Sequence, residues 1–367
     1  MKILHVTPFY EPAWAYGGMA RASSGLCRAL ARRGHAVTVA TARFEREHAA
    51  DEMLGGVRVR RLDGPGVLRR ALVPWSPALR PLILSSGETF DVAHIHGHRS
   101  GLAATARRAL AERRTPYVLV TGGTFPHHGQ RRIAKWIYDR LWGDRVTRDA
   151  AAIVAISQAE ARELPRPARV IPNGVDDHGG DRERRRGGGP RLLFVGGDRF
   201  LRKRSDVLGP LLEAMPEVSL DVVGPFAGRA RLARWGERVR FHGVLDGPAL
   251  GAAYSGADLL VHPAVGEAFG LVVFEAALHG TAGVVAGGHG CGEWYAAAGG
   301  CVVPADDVPS FIDAVRVRLG DRSRAEREAA AVASFVRREL TWDAAAERFE
   351  ALYRELAGGA SGERSTS

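Results

Sequence analysis

Several features are scarce or missing in this chain of 367 residues. It has three cysteines, Cys27, Cys291 and Cys301, and no Cys-x-x-Cys pair, so neither a disulfide framework nor a zinc site is indicated. A reducing cytoplasm therefore fits best. No run of eighteen apolar residues occurs, which excludes a membrane-spanning helix. Because Pro8 and Pro12 interrupt the N-terminal apolar run, this run predicts a first buried strand and not a signal peptide.

Acidic residues are too few to balance the basic ones. The chain carries 51 lysines and arginines against 41 aspartates and glutamates, which gives a net charge of +10. Such an excess favours anionic partners, such as nucleotide phosphates or acidic lipid. No nucleic-acid-binding motif accompanies the charge, so we expect no nucleic acid partner. The dinucleotide pattern G-x-G-x-x-G with its partner acid is absent, which disfavours a nicotinamide dehydrogenase.

The alternation of strands and helices in both halves predicts an α/β protein with two domains. We expect a first domain over residues 1–170 and a second over residues 191–340. Residues 171–190 are charged and rich in glycine, so they predict a linker. A last helix should span residues 341–357, and the tail 358–367 should be disordered.

The stretch Gly266–Gly280 carries two glutamates eight positions apart. It follows a strand predicted over Asp258–His262, and the apolar run from Phe269 to Leu278 predicts a helix that Gly280 ends. The first N–H groups of that helix would face the crevice at the carboxyl end of the sheet, where a phosphate binds well.

Glu267 would lie at that crevice, and Glu275 about 12 Å further along the helix at about 1.5 Å per residue. Two carboxylates with this separation could each hold one sugar of a sugar nucleotide. Each glutamate alone has a simpler explanation. An acidic residue in a first turn can merely offset the helix dipole, and a glutamate in mid-helix is often solvated or paired with arginine.

Together, in the order Gly-Glu-x-Phe-Gly-Leu-Val-x-x-Glu-Ala-x-x-x-Gly, the two glutamates resemble the E-x7-E signature of the retaining family 4 glycosyltransferases, or glycosyltransferases group 1. The resemblance extends through Gly290–Trp294 and Pro172–Asp176 and covers nearly the whole chain. It implies the GT-B fold, in which two Rossmann-like domains face across a cleft and the C-terminal helix returns to the first domain. It also implies transfer of a sugar from a nucleoside diphosphate sugar to an acceptor hydroxyl.

The resemblance implies a donor site built largely on the second half. Glu275 would hold the ribose hydroxyls and Glu267 the transferred sugar, and the same signature contributes Phe269, Gly270 and Leu271. These five residues are the expected donor contacts of the signature helix.

A basic loop that begins at Gly196 resembles the family's pyrophosphate loop. Arg202 and Lys203 match the Arg-Lys pair that neutralises the leaving diphosphate. The family often has an arginine where this chain has Gly197, and Arg199 would compensate for it. Without the resemblance, this loop could be mere solvated charge.

In the first half, Gly17 and Gly18 precede a helix and resemble the glycine loop that faces the donor phosphate, although a bare turn explains them equally well. His94, His96 and His98 alternate, which could place three imidazoles on one strand face. No carboxylate accompanies them, so we do not expect a metal site. The segment resembles the family's Asp-x-x-His-x-His strand.

One family residue is missing. After the next strand the family places a histidine beside the donor sugar, whereas this chain has Gly122 and Gly123. The contact to the donor sugar would then come from main-chain amides or from one of four side chains: Thr121, Thr124, His96 and His127. Of these side chains we favour His96.

We expect no cofactor and no metal ion, because the chain has no Asp-x-Asp pair and the family needs none. The product would be a polysaccharide, a glycolipid or a glycosylated natural product. Two alternatives remain open: a sugar-nucleotide epimerase or phosphorylase of the same fold, and a non-catalytic protein that binds sugar nucleotides.

Two stretches, residues 66–86 and 131–148, are basic and aromatic. The second predicts a helix with an apolar stripe formed by Ile133, Trp136, Ile137 and Leu141. Such a stripe can lie on an anionic bilayer, which would make the protein cytoplasmic and peripheral at the inner face of the cell membrane. Packing of the stripe on the protein's own core is the favoured alternative.

Overall fold

The structure is a computed structural model that describes residues 1–14, 17–44, 47–66, 74–85, 87–125, 132–178, 189–197 and 201–362. The chain forms two compact units. The first consists of Met1–Gly174 together with Trp342–Ser367, and the second is Val175–Thr341. The chain boundary after Gly174 therefore falls inside the stretch predicted as a linker, and the boundary before Trp342 falls beside the predicted start of the last helix.

The first unit contains a sheet of eight strands among its described residues, in the order β3-β4-β2-β1-β5-β6-β7-β8. Every pairing is parallel except that of β3 with β4, which is antiparallel and was not predicted. The strands are β1 Lys2–Thr7, β2 Ala36–Ala42, β3 Asp51–Leu54, β4 Val57–Leu62, β5 Val92–His96, β6 Tyr117–Val120, β7 Ala152–Ala155 and β8 Arg169–Val170.

The helices of this unit connect the parallel strands. Helix α3 begins after Ser100, whose Oγ accepts from the backbone N–H of Ala103, and it buries Leu102 and Leu110. The bounds before the last helix are α1 Gly18–Arg32, α2 Leu79–Ser85, α3 Gly101–Glu112, α4 Arg132–Tyr138, a π-helical turn Asp139–Gly143, α5 Asp144–Arg148 and α6 Gln158–Arg162.

The C-terminal helix Trp342–Gly362 packs within this first unit, as the resemblance implied. A Cβ on Gly25 or on Gly174 would collide with Trp342, so both glycines let this tryptophan approach closely. Arg33 pairs with Glu350 at 2.7 Å. The helix runs five residues beyond its predicted end at 357, and residues 363–367 lie outside the described residues.

The second unit contains a sheet of six strands in its described part, in the order β11-β10-β9-β12-β13-β14. All of these pairings are parallel. The strands are β9 Arg191–Val195, β10 Ser219–Val223, β11 Val239–Gly243, β12 Leu259–His262, β13 Gly283–Ala286 and β14 Cys301–Val303.

The helices of the second unit cover that sheet, and residues such as Phe194, Leu211 and Leu220 form its core. The helices are α7 Leu208–Ala214, α8 Arg229–Leu232, α9 Gly247–Ser255, α10 Leu271–Leu278, α11 Gly290–Ala297, α12 Val308–Gly320 and α13 Arg322–Glu339. Short 3-10 turns lie at Leu201–Lys203, Ser205–Val207 and Ala233–Arg238. Within the described ranges, no helix combines the length and the apolar character needed to cross a membrane.

The packing alternative for the stripe in residues 131–148 is wrong. The side chains of Ile133, Trp136, Ile137 and Leu141 are exposed, because the buried side of this segment is formed by other residues, such as Asp139, Val146 and Thr147. In the other basic stretch, residues 66–86, the side chains of Leu79, Leu82 and Ile83 in α2 are buried, so the apolar residues of this helix pack on the core. Arg69 and Arg70 lie outside the described residues.

Candidate functional site

The signature stretch forms a loop that leads into α10. The helix begins at Leu271, two residues later than predicted, because Gly270 has a left-handed conformation with φ of 74°. A Cβ at Gly270 would also collide with the Sγ of Cys291, so only glycine fits this position. Since residues 267–270 are not helical, the expected separation of about 12 Å between the two glutamates does not apply.

The structure brings the predicted basic pair and Glu267 together. The Nζ of Lys203 donates to Glu267 Oε2 at 2.5 Å, and the Nη1 of Arg202 donates to the carbonyl of Gly266 at 3.3 Å. The two loops are also joined by their backbones, because the N–H of Val265 donates to the carbonyl of Arg202 at 2.7 Å. These residues therefore form one cationic and acidic cluster beside the start of α10.

Glu267 is held ionised by its neighbours. Burial acts to raise the pKa of Glu267, but the charge of Lys203 opposes burial and the pKa is lowered to about 2. The pKa of His262 is lowered to about 3 by burial and by Lys203, so this imidazole is neutral near pH 7. The site thus presents a fixed carboxylate at physiological pH.

The N-terminus of α10 lies next to this carboxylate. The Cγ of Glu267 lies 3.4 Å from the position that a Cβ on Gly270 would take. No side chain of the described residues caps this end of the helix. Its first N–H groups and their partial positive charge can therefore serve a bound anion.

Glu275 lies deeper than Glu267 and is only 1 % exposed. Its Oε2 accepts from the Tyr254 hydroxyl at 2.6 Å and lies 3.3 Å from the Nε2 of His178. Its Oε1 has no hydrogen-bond partner among the described residues. Leaving a buried carboxylate oxygen without a donor is costly, and a ligand hydroxyl would supply one. Neither Tyr254 nor His178 was predicted from the sequence.

Other predicted donor contacts are placed differently. The ring of Phe269 is buried against Phe274, with centroids 5.1 Å apart, and Leu271 is also buried, so both side chains belong to the core. Gly196 lies beneath the stem of Lys203, whose Cδ would be 3.5 Å from a Cβ there. Arg199 lies outside the described residues.

In the first unit, Gly17 and Gly18 form the start of α1 as predicted. A Cβ at either position would meet no atom within 4 Å, and Gly17 has a φ of 90°. Both glycines are exposed. The backbone at this helix start is therefore open to a ligand.

His94 and His96 stack on each other at 4.2 Å, but the third imidazole of the cluster is His5, not His98. His5 comes from β1, where it lies beside His94 in register, and its Nδ1 lies 3.0 Å from the Nε2 of His96. His98 instead contacts Asp139 at 3.4 Å. The strand therefore does not present three histidines on one face.

Three buried ring nitrogens of this cluster lie within 4.8 Å of one another, which is close enough to consider a metal site. The rings of His5, His94 and His96 stack, and His94 is hydrogen-bonded to the hydroxyl of Tyr353 at 2.5 Å. The Nδ1 of His94 and the Nε2 of His96 already face hydrogen-bond partners within the protein. Burial lowers the pKa of His96 to about 3, so its ring is a neutral hydrogen-bonding group near pH 7.

The loop in which the family histidine is missing is held by two residues that the sequence did not reveal. Glu160 accepts from the Thr121 hydroxyl at 2.7 Å and from the backbone N–H of Gly123. Arg99 donates to the carbonyls of Thr124 and Phe125. Gly122 is exposed, and His127 lies outside the described residues.

Comparison with known proteins gives two matches to protein families. Residues 16–178 match the model of Glycosyltransferase Family 4, and residues 189–321 match that of Glycosyl transferases group 1. A D-inositol 3-phosphate glycosyltransferase of Thermomonospora curvata is 28% identical over 428 residues, covering 95% of this chain and 93% of the relative. A phosphatidyl-myo-inositol mannosyltransferase of Mycobacterium leprae is 28% identical, covering 78% and 80%.

Solved structures give the same fold. Sucrose-phosphate synthase from Thermosynechococcus elongatus superposes with a TM-score of 0.78 at 19% identity, covering 98% of this chain and all of the other. Anabaena HepE in complex with UDP-glucose gives 0.74 at 16% identity, covering 97% and 100%. Two parallel-sheet α/β units with a helical C-terminus match the GT-B fold of these structures.

Proposed function

We propose that this chain, which belongs to glycosyltransferase family 4, the group 1 transferases, is a hexosyltransferase. It transfers a hexose from a nucleoside diphosphate sugar to an acceptor hydroxyl with retention of anomeric configuration. The observation that carries the donor assignment is the cluster of Lys203, Arg202 and Glu267 beside the uncapped start of α10. A diphosphate needs such cations, and a sugar hydroxyl needs such a carboxylate.

In the proposed reaction the bond between the anomeric carbon and the diphosphate oxygen breaks. The diphosphate leaves with the electron pair, and the acceptor oxygen bonds to the anomeric carbon while its proton passes to the leaving diphosphate oxygen. Lys203, Arg202 and the start of α10 stabilise the charge that grows on the leaving diphosphate, which lowers the barrier because this interaction strengthens in the transition state. No metal ion is needed in this scheme.

The remaining residues have positioning roles in the proposal. Glu275 accepts from the ribose hydroxyls through its Oε1, for which the described residues provide no donor. Glu267 holds the transferred sugar. His96 contacts the sugar as a neutral group, and Gly17 and Gly18 offer their backbone to the donor phosphate.

A panel of labelled sugar nucleotides tests the proposal. Transfer of the sugar, with release of the nucleoside diphosphate, supports a transferase, and the anomeric proton coupling of the product in an NMR spectrum reports retention. Binding without turnover would indicate the non-catalytic alternative. Isomerisation of the sugar would indicate an epimerase, and a requirement for inorganic phosphate would indicate a phosphorylase.

A further inference from the structure

We infer that the outward side of the helical segment 132–148 in the first unit docks the protein on an anionic lipid bilayer. Five side chains of this segment form what we call the docking face: Ile133, Trp136, Ile137, Leu141 and Trp142. These side chains are between 40 % and 76 % exposed. They make up five of the eight large apolar side chains that are exposed in the described part of the chain. Single exposed apolar residues are ordinary, but a cluster within ten positions marks an interaction site.

The segment is fixed to the unit by its other side. Asp139 is buried and forms an ion pair with Arg99 at 2.5 Å, and the Tyr138 hydroxyl donates to the carbonyl of Ser100 at 2.7 Å. A Cβ on Gly143 would lie 3.3 Å from the ring of His98, so the segment lies close against its own unit at that point. The docking face is therefore held outward by specific contacts.

The π-helical turn Asp139–Gly143 helps to form this face. A π-turn inserts one extra residue, which rotates the following residues relative to an ideal helix. In this turn Leu141 and Trp142 are exposed, while Asp139 and Gly143 are buried. The turn thus extends the apolar side without loosening the inward contacts.

Charge favours a bilayer as the partner. The segment 132–148 contains five basic residues against two acidic ones, and one of those acids is the buried Asp139. Arg140, Arg145 and Arg148 of this segment are exposed. Tryptophan with arginine around an apolar helix side is typical of helices that lie in the interface of anionic membranes.

Vesicle sedimentation tests the proposal and needs no sugar transfer, so its outcome is separate from that of the proposed function. The full chain should sediment with vesicles of phosphatidylcholine mixed with phosphatidylglycerol and should stay largely unbound with phosphatidylcholine alone. Binding should weaken as salt is raised, because salt screens the basic residues. No binding to the anionic vesicles at low salt would overturn the proposal.

Two variants with a matched control locate the binding surface. The triple variant Trp136→Ser, Ile137→Ser, Leu141→Ser should bind the anionic vesicles at least roughly tenfold more weakly. The reason is that it removes most of the apolar area that would be buried in the bilayer. The double variant Arg140→Gln, Arg145→Gln should bind more weakly at low salt and should show a smaller salt dependence. The control Met53→Ser, Val317→Ser removes exposed apolar side chains elsewhere and should bind like the parent chain.

A second measurement does not depend on the folding of the triple variant. Lipids brominated near the headgroup should quench tryptophan fluorescence in the parent chain, and the conservative variant Trp136→Phe should lose much of that quenching. Equal vesicle binding by the parent and the triple variant would refute the docking face. Light scattering that shows a dimer dissociated by the triple variant, without vesicle binding, would assign this face to a second copy of the chain instead.

Discussion

At the scale of single residues, the proposed donor site depends on the pair Lys203–Glu267. The two residues come from loops 64 positions apart, and the ammonium and carboxylate are 2.5 Å from each other. Each is partly shielded, with side-chain exposures of 23% and 27%. A ligand diphosphate would therefore meet a lysine already held in place by its partner.

Replacing Lys203 by Ala should reduce turnover more than donor binding. The variant should bind the nucleoside diphosphate up to roughly a hundredfold more weakly, and kcat should fall further, because the charge on the diphosphate grows as the bond breaks. Arg204→Gln is the matched control, since Arg204 lies in the same loop but pairs with Asp206 and Asp306. Calorimetric titration and steady-state kinetics separate the two effects, and equal loss in both variants would contradict the assignment.

Replacing Glu275 by Gln should lower kcat/KM for the donor. A hydrogen bond to a charged group contributes about 1.5 to 3 kcal/mol, so the loss should be roughly ten- to a hundredfold. Tyr254→Phe removes a neighbour of the carboxylate but leaves its charge, so it should cost less. Donor kinetics of Glu275→Gln equal to those of the parent chain would remove Glu275 from the site.

Sequence patterns single out these residues as candidates, but they do not reveal the contacts of these residues. Arg202, Lys203 and Glu267 stand in recognisable patterns, whereas the hydrogen bond of Lys203 to Glu267 depends on how two distant loops pack. The partners of Glu275, Tyr254 and His178, lie 21 and 97 positions away from it and carry no local signal. Phe269 was predicted as a donor contact because the signature contains it, yet its ring completes the core.

At the scale of elements, Gly270 sets where α10 begins. Gly270→Ala should destabilise the chain by about 1 to 3 kcal/mol, because φ is positive there and the added Cβ collides with Cys291. Gly320→Ala is the control, since Gly320 has open space and lies in the last turn of α12, so it should change stability by less than about 1 kcal/mol. Thermal unfolding followed by circular dichroism compares the two, and equal midpoints would show that the position tolerates alanine.

Three strands of the second unit have the bounds that their sequences alone indicate: Arg191–Val195, Ser219–Val223 and Val239–Gly243. The strand predicted over Asp258–His262 begins one residue later, at Leu259. The first three strands are bounded by glycine, proline or charge, so local sequence decides their ends. The segment 132–148 shows the opposite case. Its helical period was clear, but which side faces the core depends on contacts of Asp139 with Arg99, and those are not local.

At the scale of the whole molecule, buried histidines should make the fold sensitive to mild acid. Burial lowers the pKa of His96 and of His262 to about 3, and it also lowers the pKa values of His5 and His94. In the unfolded chain these groups take up protons below about pH 6.5. The unfolded state then binds more protons, so stability falls as pH drops from about 6.5 towards 3.

The expected loss is about 1.4 kcal/mol per pH unit for His96 and for His262 in that window. The thermal midpoint should therefore fall clearly between pH 7.5 and pH 5.5, a range in which Glu267 stays ionised. A midpoint that is the same at both values, measured by scanning calorimetry, would show that these imidazoles are not neutral in the fold.

Activity should survive an excess of chelator. The proposed scheme stabilises the diphosphate with Lys203, Arg202 and a helix start, so it has no step that a divalent cation must perform. The measurement is the initial rate of transfer with and without EDTA, with magnesium or manganese added back. A rate lost in EDTA and restored by either ion would overturn the scheme and direct attention to Asp176, Asp177 and the histidine cluster.

The path of the chain through its two units also fixes an order of events during synthesis. The second unit is one continuous piece, Val175–Thr341, whereas the first lacks Trp342 and Tyr353 until that piece has been synthesised. At about 5 to 20 residues per second, the ribosome needs roughly 10 to 30 s to make the intervening piece. During that time Gly25 and His94 lack the helix that contacts them. Of the two units, the one whose synthesis starts first is thus completed second, and the nascent protein carries an incomplete unit for which chaperones can provide protection.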